Sequence, residues 1–132
     1  MGARGLSVAA PRVARILLVD DDDEMRSFLR RALGIHGYPV VDQSSAAQVV
    51  ATLDAETFDA VILDKEMPGI NGLDLLRALR DRHPGLPVIF VTAFGGPRLG
   101  EEVLRMGAAR YLEKPFRVGD LLEALRQVTS GA

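Results

Sequence analysis

Two stretches decide the fold: Ile16-Leu17-Leu18-Val19-Asp20-Asp21-Asp22 and Ala60-Val61-Ile62-Leu63-Asp64. Each is an apolar run that ends abruptly in aspartate. The runs are too short for helices and apolar at every position, which fits strands buried on both faces of a parallel sheet. Working outward from the first, Met25, Phe28, Leu29, Ala32 and Leu33 recur at helical spacing, and Gly34, Gly37 and Pro39 stop that helix. Tyr38-Val40-Val41 reads as a second strand. Ser44 or Ser45 then caps a helix carrying Ala46, Val49, Val50 and Leu53 on one face. After Asp64, residues 67–71 read as a loop, and Leu75, Leu76 and Leu79 mark a helix that ends near Pro84-Gly85. Residues 87–91 form a fourth strand, 97–106 a helix, and Tyr111-Leu112 a fifth strand. Val118, Leu121, Leu122, Leu125 and Val128 line a last helix. The alternation predicts an α/β fold: a doubly wound five-stranded parallel sheet with five helices.

Composition narrows the function. The chain has 132 residues, 48% of them hydrophobic, enough for one buried core. The ordered domain is expected over 13–128, with an extension at 1–12 and a tail at 129–132. Sixteen Lys plus Arg against eighteen Asp plus Glu give a net charge of −2. That balance argues against direct nucleic-acid binding. There is no cysteine, which excludes thiol catalysis and Cys-ligated zinc. The two histidines, His36 and His83, are expected at the surface. No apolar run approaches the ~20 residues of a membrane span. The start is too short and broken in its apolar character for a secretory signal, so the expected compartment is the cytoplasm.

In a doubly wound sheet the site lies beyond the carboxyl ends of the strands. The first strand ends in Asp20-Asp21, the third in Asp64, the fourth in Thr92 and the fifth in Lys114-Pro115. Asp22, Asp23 and Glu24 are instead read as helix-opening residues that cap the helix and complement its dipole. Lys114 stands out because the chain uses lysine only at Lys65 and Lys114, against fourteen arginines. A lysine gives a compact point charge where an arginine gives a broad fork. Crowded carboxylates call for a cation, and hard oxygen ligands with room for water suit Mg²⁺, with Mn²⁺ as a substitute. A carboxylate beside such an ion is a nucleophile for a phosphoryl group, and that transfer needs positioning and charge neutralisation. Lys114, the Thr92 hydroxyl and nearby backbone N–H groups would supply these, and Lys65 and Ala93 are expected to join Lys114 and Thr92 as phosphoryl-binding residues.

The motifs ILLVDDD (Ile16 to Asp22), LDKEMPGINGLDLL (Leu63 to Leu76), VTAFG (Val91 to Gly95) and YLEKPF (Tyr111 to Phe116) together resemble the receiver domain of two-component response regulators, of the chemotaxis-regulator type. The resemblance runs from about Arg15 to Val128. It implies the flavodoxin-like strand order 2-1-3-4-5. It also implies phosphorylation of Asp64, Mg²⁺ held by Asp21 directly, by Asp20 through water, by Asp64 and by the Glu66 backbone carbonyl, and a bridge from Lys114 to the phosphoryl group. The Lys114–Pro115 bond is expected to be cis. Thr92 would move toward the phosphoryl group and Tyr111 would follow as an aromatic switch. The Glu66 side chain and the Phe94 ring border the path of a hydrolytic water and are expected to tune the lifetime of the phosphoryl group. Of the two, the Phe94 ring is expected to dominate by excluding that water.

The partners so implied are a sensor histidine kinase or phosphotransfer protein, and an effector at the face of the fourth helix, fifth strand and fifth helix. No membrane partner is expected. Two other classes compete. A haloacid-dehalogenase-type phosphatase also uses an aspartyl-phosphate with Mg²⁺, but it carries a second Asp two residues on, where Glu66 stands, and has its nucleophile on the first strand. A binding module is the third class: an FMN-holding flavodoxin, which lacks support because no phosphate loop follows the first strand, or a receiver that is never phosphorylated. Apart from its own phosphorylation and dephosphorylation, no enzyme activity is expected. Four residues follow Val128, so a stand-alone receiver and a domain excised from a longer regulator both remain open.

Overall fold

The structure, a computed structural model, describes residues 13–67 and 69–129. The expected 1–12 extension, Pro68 and residues 130–132 of the expected tail lie outside the described residues. The parallel strands are β1 (Ile16–Val19), β2 (Val40–Gln43), β3 (Ala60–Asp64), β4 (Val88–Thr92) and β5 (Arg110–Glu113). They lie side by side in the order 2-1-3-4-5. Register follows from the apolar runs, with Leu17 opposite Val41 and Val61, and Leu63 opposite Phe90.

The helices are α1 (Asp23–Ile35), α2 (Val49–Ala55), α3 (Gly72–Arg82), α4 (Pro97–Arg105) and α5 (Val118–Thr129). Because successive strand residues point to opposite faces, each run splits between two cores. Leu17, Val19, Val61, Leu63, Val88 and Phe90 meet α2, α3 and α4 through Val49, Leu53, Leu76, Leu79 and Val103. Ile16, Leu18, Ala60, Ile62, Ile89 and Val91 meet α1 and α5 through Leu29, Leu33, Leu121 and Leu125. A sheet sandwiched in this way buries β1, β3 and β4 throughout, and their carboxyl ends emerge together at one edge.

The structure corrects several details. Residues 67–71 are not a plain loop: Glu66–Met67 and Ile70–Asn71 pair as a short antiparallel ladder. The second helical segment opens with a 3-10 turn, Ala46–Gln48, and of the two serines offered as its cap the structure selects Ser45. Phe28 leaves the α1 stripe and is 56% exposed. Leu29 and Leu33, four apart, share the buried line, and Phe28 sits about 100° around the helix from Leu29. His36 is at the surface as expected, whereas His83 is half-buried and its Nε2 lies 3.1 Å from Asp54 Oδ1. Gly72 opens α3 against the preceding loop, where a Cβ would come within 2.7 Å of Lys65 Cα. The missing side chain lets the helix press on the segment that carries Lys65 and Glu66.

Candidate functional site

The acidic set converges at the carboxyl edge. Asp20 follows β1 and Asp64 ends β3; each is 3% exposed, while the neighbouring Asp21 lies in solvent. One carboxylate oxygen from each of Asp20, Asp21 and Asp64 can be chosen so that all lie within 4.8 Å of one another. Asp22 turns away to cap α1, accepting from the Glu24 and Met25 N–H groups at 3.0 and 3.1 Å. The division between pocket acids and helix-opening acids therefore falls where the sequence placed it. An Asp22 N–H bond to Asp20 Oδ1, 2.9 Å, fixes the Asp20 carboxylate. Arg26, which the sequence did not single out, donates to the Asp20 carbonyl at 2.8 Å and to Asp42 Oδ2 at 3.1 Å. It ties the end of β1 to β2, and only its helical register, six residues past Asp20, hinted at this.

Lys114 reaches the acids from the far side of the sheet. Its Nζ lies 3.4 Å from Asp20 Oδ2 and 3.4 Å from Asp64 Oδ2. Its own N–H donates to the Thr92 carbonyl at 2.8 Å, and its bond to Pro115 is cis. Burial pushes the Asp64 carboxyl up to about 7; the Asp20 charge adds to this and the Lys114 charge opposes it. Burial pulls the Lys114 ammonium down, but Asp64 and Asp20 together outweigh it and hold its pKa above the ordinary lysine value. Two half-compensated carboxylates and one ammonium leave the site short of positive charge. Three hard oxygen donors, one of them open to water, are a set that fits Mg²⁺.

Thr92 ends β4 and is fully buried. Its hydroxyl donates to Glu66 Oε2 and accepts from the Phe94 N–H at 3.0 Å. The Ala93 N–H donates to Glu66 Oε1 at 2.9 Å. Lys65 Nζ stands 3.8 Å from Glu66 Oε2. The Glu66 N–H points back to Asp64 Oδ1 at 3.3 Å. Thus Lys65, Thr92 and Ala93 do gather beside Asp64, but around the Glu66 carboxylate. Sequence placed Glu66 near the pocket without revealing this contact. Phe94 is 77% exposed, so the larger part of its ring faces solvent rather than the acids. Tyr111 is half-buried, donating to Glu113 Oε2 at 3.0 Å and accepting from the Gly96 N–H at 3.0 Å. Burial raises its pKa, and the Glu113 carboxylate adds to the effect.

The stretch that builds this pocket and the 2-1-3-4-5 sheet, residues 16–126, matches the family described as response regulator receiver domain. The chain belongs to that family. The response regulator protein FleR of Pseudomonas aeruginosa is 40% identical over 118 residues, 89% of this chain and 25% of that protein. The DNA-binding transcriptional regulator NtrC of Escherichia coli K12 is 35% identical over 115 residues, 87% of this chain and 24% of that protein. The chain thus spans about a quarter of the length of these curated relatives. Among solved structures, a CheY-like response regulator receiver domain protein from Methanospirillum hungatei is 29% identical, with a TM-score of 0.84 over 90% of this chain and 95% of that one. The receiver domain of NtrX from Brucella abortus is 27% identical, with a TM-score of 0.82 over 89% of this chain and 99% of that one. The match to the receiver family sets aside the haloacid-dehalogenase-type phosphatases and the FMN-binding flavodoxins; it does not separate a phosphorylated receiver from one that is never phosphorylated. Receiver domains are regulatory. Among the described residues no helix is long and apolar enough to cross a membrane.

Proposed function

We propose that this receiver domain takes a phosphoryl group onto Asp64 from a phosphohistidine on a sensor kinase or phosphotransfer protein. The observation that carries the reading is the convergence of Asp20, Asp21 and Asp64, with Lys114 at 3.4 Å from both buried acids. An Asp64 carboxylate oxygen bonds to phosphorus, the bond from phosphorus to the donor breaks, and the donor leaves with the bonding pair. The Lys114 ammonium neutralises charge on the phosphoryl oxygens, and Thr92 and the Ala93 N–H offer donors to them. Asp20, Asp21, Asp64 and the Glu66 carbonyl would hold Mg²⁺, or Mn²⁺ in its place, which supplies the remaining positive charge.

The change of surface follows from the same residues. If Thr92 turns to the phosphoryl group, the space beside it is open to the Tyr111 ring, which now lies against α4. An effector at the α4, β5 and α5 face would then meet two different surfaces, the condition for a phosphoryl group to shift a binding equilibrium. The relatives that carry DNA-binding names are about four times longer than the matched segment, so output of that kind would belong to other parts of such a protein. A cytoplasmic location accords with a phosphohistidine donor.

The test is mass spectrometry after incubation with acetyl phosphate and Mg²⁺. One phosphoryl group should appear on wild type and none on Asp64→Asn. Equal labelling of the two would remove Asp64 from the role.

A further inference from the structure

The donors that would receive phosphoryl oxygens are already engaged. The Thr92 hydroxyl and the Ala93 N–H both donate to one carboxylate, that of Glu66, through its two separate oxygens. Because Thr92 Oγ1 accepts from the Phe94 N–H at 3.0 Å, its single proton is left for Glu66. A carboxylate offers a pair of charged acceptor oxygens, the same kind of group that a phosphoryl presents. We propose that Glu66 is an internal ligand of the oxyanion-binding groups, and that it sets this domain's affinity for phosphoryl oxygens by competing for Thr92 and Ala93. This rests on the phosphoacceptor reading above and adds a determinant to it.

Several features make the competition effective. Glu66 is two residues from Asp64 on the same chain, and its own N–H is bonded to Asp64 Oδ1. Pairing with Asn71 fixes its backbone, and the bare α-carbon of Gly72 lets α3 press on Lys65 next to it. A group held this way acts at high effective concentration. It also carries negative charge, so an arriving phosphoryl group meets repulsion as well as occupied donors. A place for the displaced carboxylate exists: Lys65 Nζ is 3.8 Å from Oε2 and half-buried. A Gln in the same pose keeps one acceptor oxygen and turns the other oxygen into an NH2 donor, so one of the two groups, Thr92 or Ala93, faces a donor instead of an acceptor.

Beryllofluoride, a non-covalent mimic of a phosphoryl group, tests this in the presence of Mg²⁺, with acetyl phosphate labelling of Asp64 run beside it. Glu66→Gln should bind beryllofluoride about tenfold more tightly than wild type, the worth of roughly one charged hydrogen bond, and Glu66→Ala, which frees both donors, more tightly still. The Ala93 amide proton gives a direct readout: in the free protein its NMR resonance should move upfield in Glu66→Ala. When beryllofluoride binds, that resonance should shift further in the variant than in wild type, where one oxyanion merely replaces another. Wild type and both variants labelling at Asp64 with equal or weaker beryllofluoride affinity in the variants would overturn the competition while leaving the phosphoacceptor role intact. Absence of labelling in wild type and variants alike would overturn the phosphoacceptor role and the competition with it.

Discussion

The Tyr111 ring occupies the space beside Gly100, where a Cβ would come within 2.8 Å of Tyr111 Cδ2. Gly95 confines the other end of the ring, since a Cβ there would stand 1.7 Å from the hydroxyl oxygen. The two glycines therefore define a slot for the ring against α4, and the Gly96 N–H closes it with a 3.0 Å bond to the hydroxyl. A glycine inside a helix weakens it by ~1 kcal/mol relative to alanine, so Gly100 in α4 has a cost that the slot explains.

The first prediction concerns that slot. Gly100→Ala improves helix propensity but puts a methyl group against the ring, so Tyr111 must shift. The hydrogen bond from the Gly96 amide should lengthen or break. Amide hydrogen exchange at Gly96 should become faster in the variant than in wild type, although α4 itself gains propensity. Unchanged protection at Gly96 would mean that the ring tolerates the methyl group in place.

A second prediction concerns pH. The Asp64 carboxyl ordinarily titrates at 3.8 and is raised to about 7 in the fold. Between those values the folded state holds a proton that the unfolded state releases, so stability falls as pH rises from about 4 to about 7 and is level above that. Asp64→Asn removes this penalty. In chelator, the variant should therefore melt higher than wild type at pH 8, by an amount of order 1–2 kcal/mol once screening at the open edge of the site is allowed for. Near pH 4 the two should converge. A difference between them that is the same at both pH values would show that the gain comes from something other than ionisation of Asp64.

The third prediction concerns the metal. If Asp20, Asp21 and Asp64 hold Mg²⁺, the ion stabilises the folded state by mass action, about 2.7 kcal/mol at a concentration one hundred times its Kd. It also supplies the charge that Asp64 lacks, so it should flatten the fall in stability with rising pH. Asp21 is exposed, and Asp21→Ala leaves the core untouched while removing an oxygen from the set. Thermal melts with and without millimolar Mg²⁺ should show a rise in wild type and most of that rise lost in Asp21→Ala. An equal rise in both proteins would place the ion elsewhere.

The parts of the molecule that sequence made legible share a property. Asp20, Asp64, Thr92 and Lys114 are each fixed by where an apolar run ends, and the sheet order then brings those ends together. Period and burial determine such positions, and both are written along the chain. The Glu66 contact is different. It depends on the course of a turn between β3 and α3, on Gly72 pressing against Lys65, and on one rotamer of a flexible side chain. Nothing in the local pattern encodes that rotamer. Phe28 marks a second limit, because an apolar residue at the edge of a helical stripe looks the same in sequence as one at its centre. His83 marks a third: its partner Asp54 lies in the last turn of a different helix and is found only once α2 and α3 lie side by side.

The last prediction concerns the lifetime of the phosphoryl group, for which sequence pointed first to Phe94. Hydrolysis needs a water in line with the bond from phosphorus to the Asp64 oxygen. A ring excludes that water only if it fills the approach. At 77% exposure the Phe94 ring is packed against little of the protein, while its N–H, which any residue but proline would supply, already serves Thr92. Removing the ring therefore takes away little that borders Asp64. Glu66, by contrast, sits on the Thr92 and Ala93 donors, with Lys65 3.8 Å from its Oε2, so on the competition reading its carboxylate stays beside the pocket when a phosphoryl group takes those donors. Phe94→Ala should accordingly lose its phosphoryl group at a rate within about twofold of wild type, a barrier change below roughly 0.5 kcal/mol. The rate is measured by mass spectrometry after acetyl phosphate is removed by rapid desalting. An acceleration of about tenfold, or ~1.4 kcal/mol, would show that the ring swings over Asp64 once the phosphoryl group is in place, and would restore the steric role to Phe94.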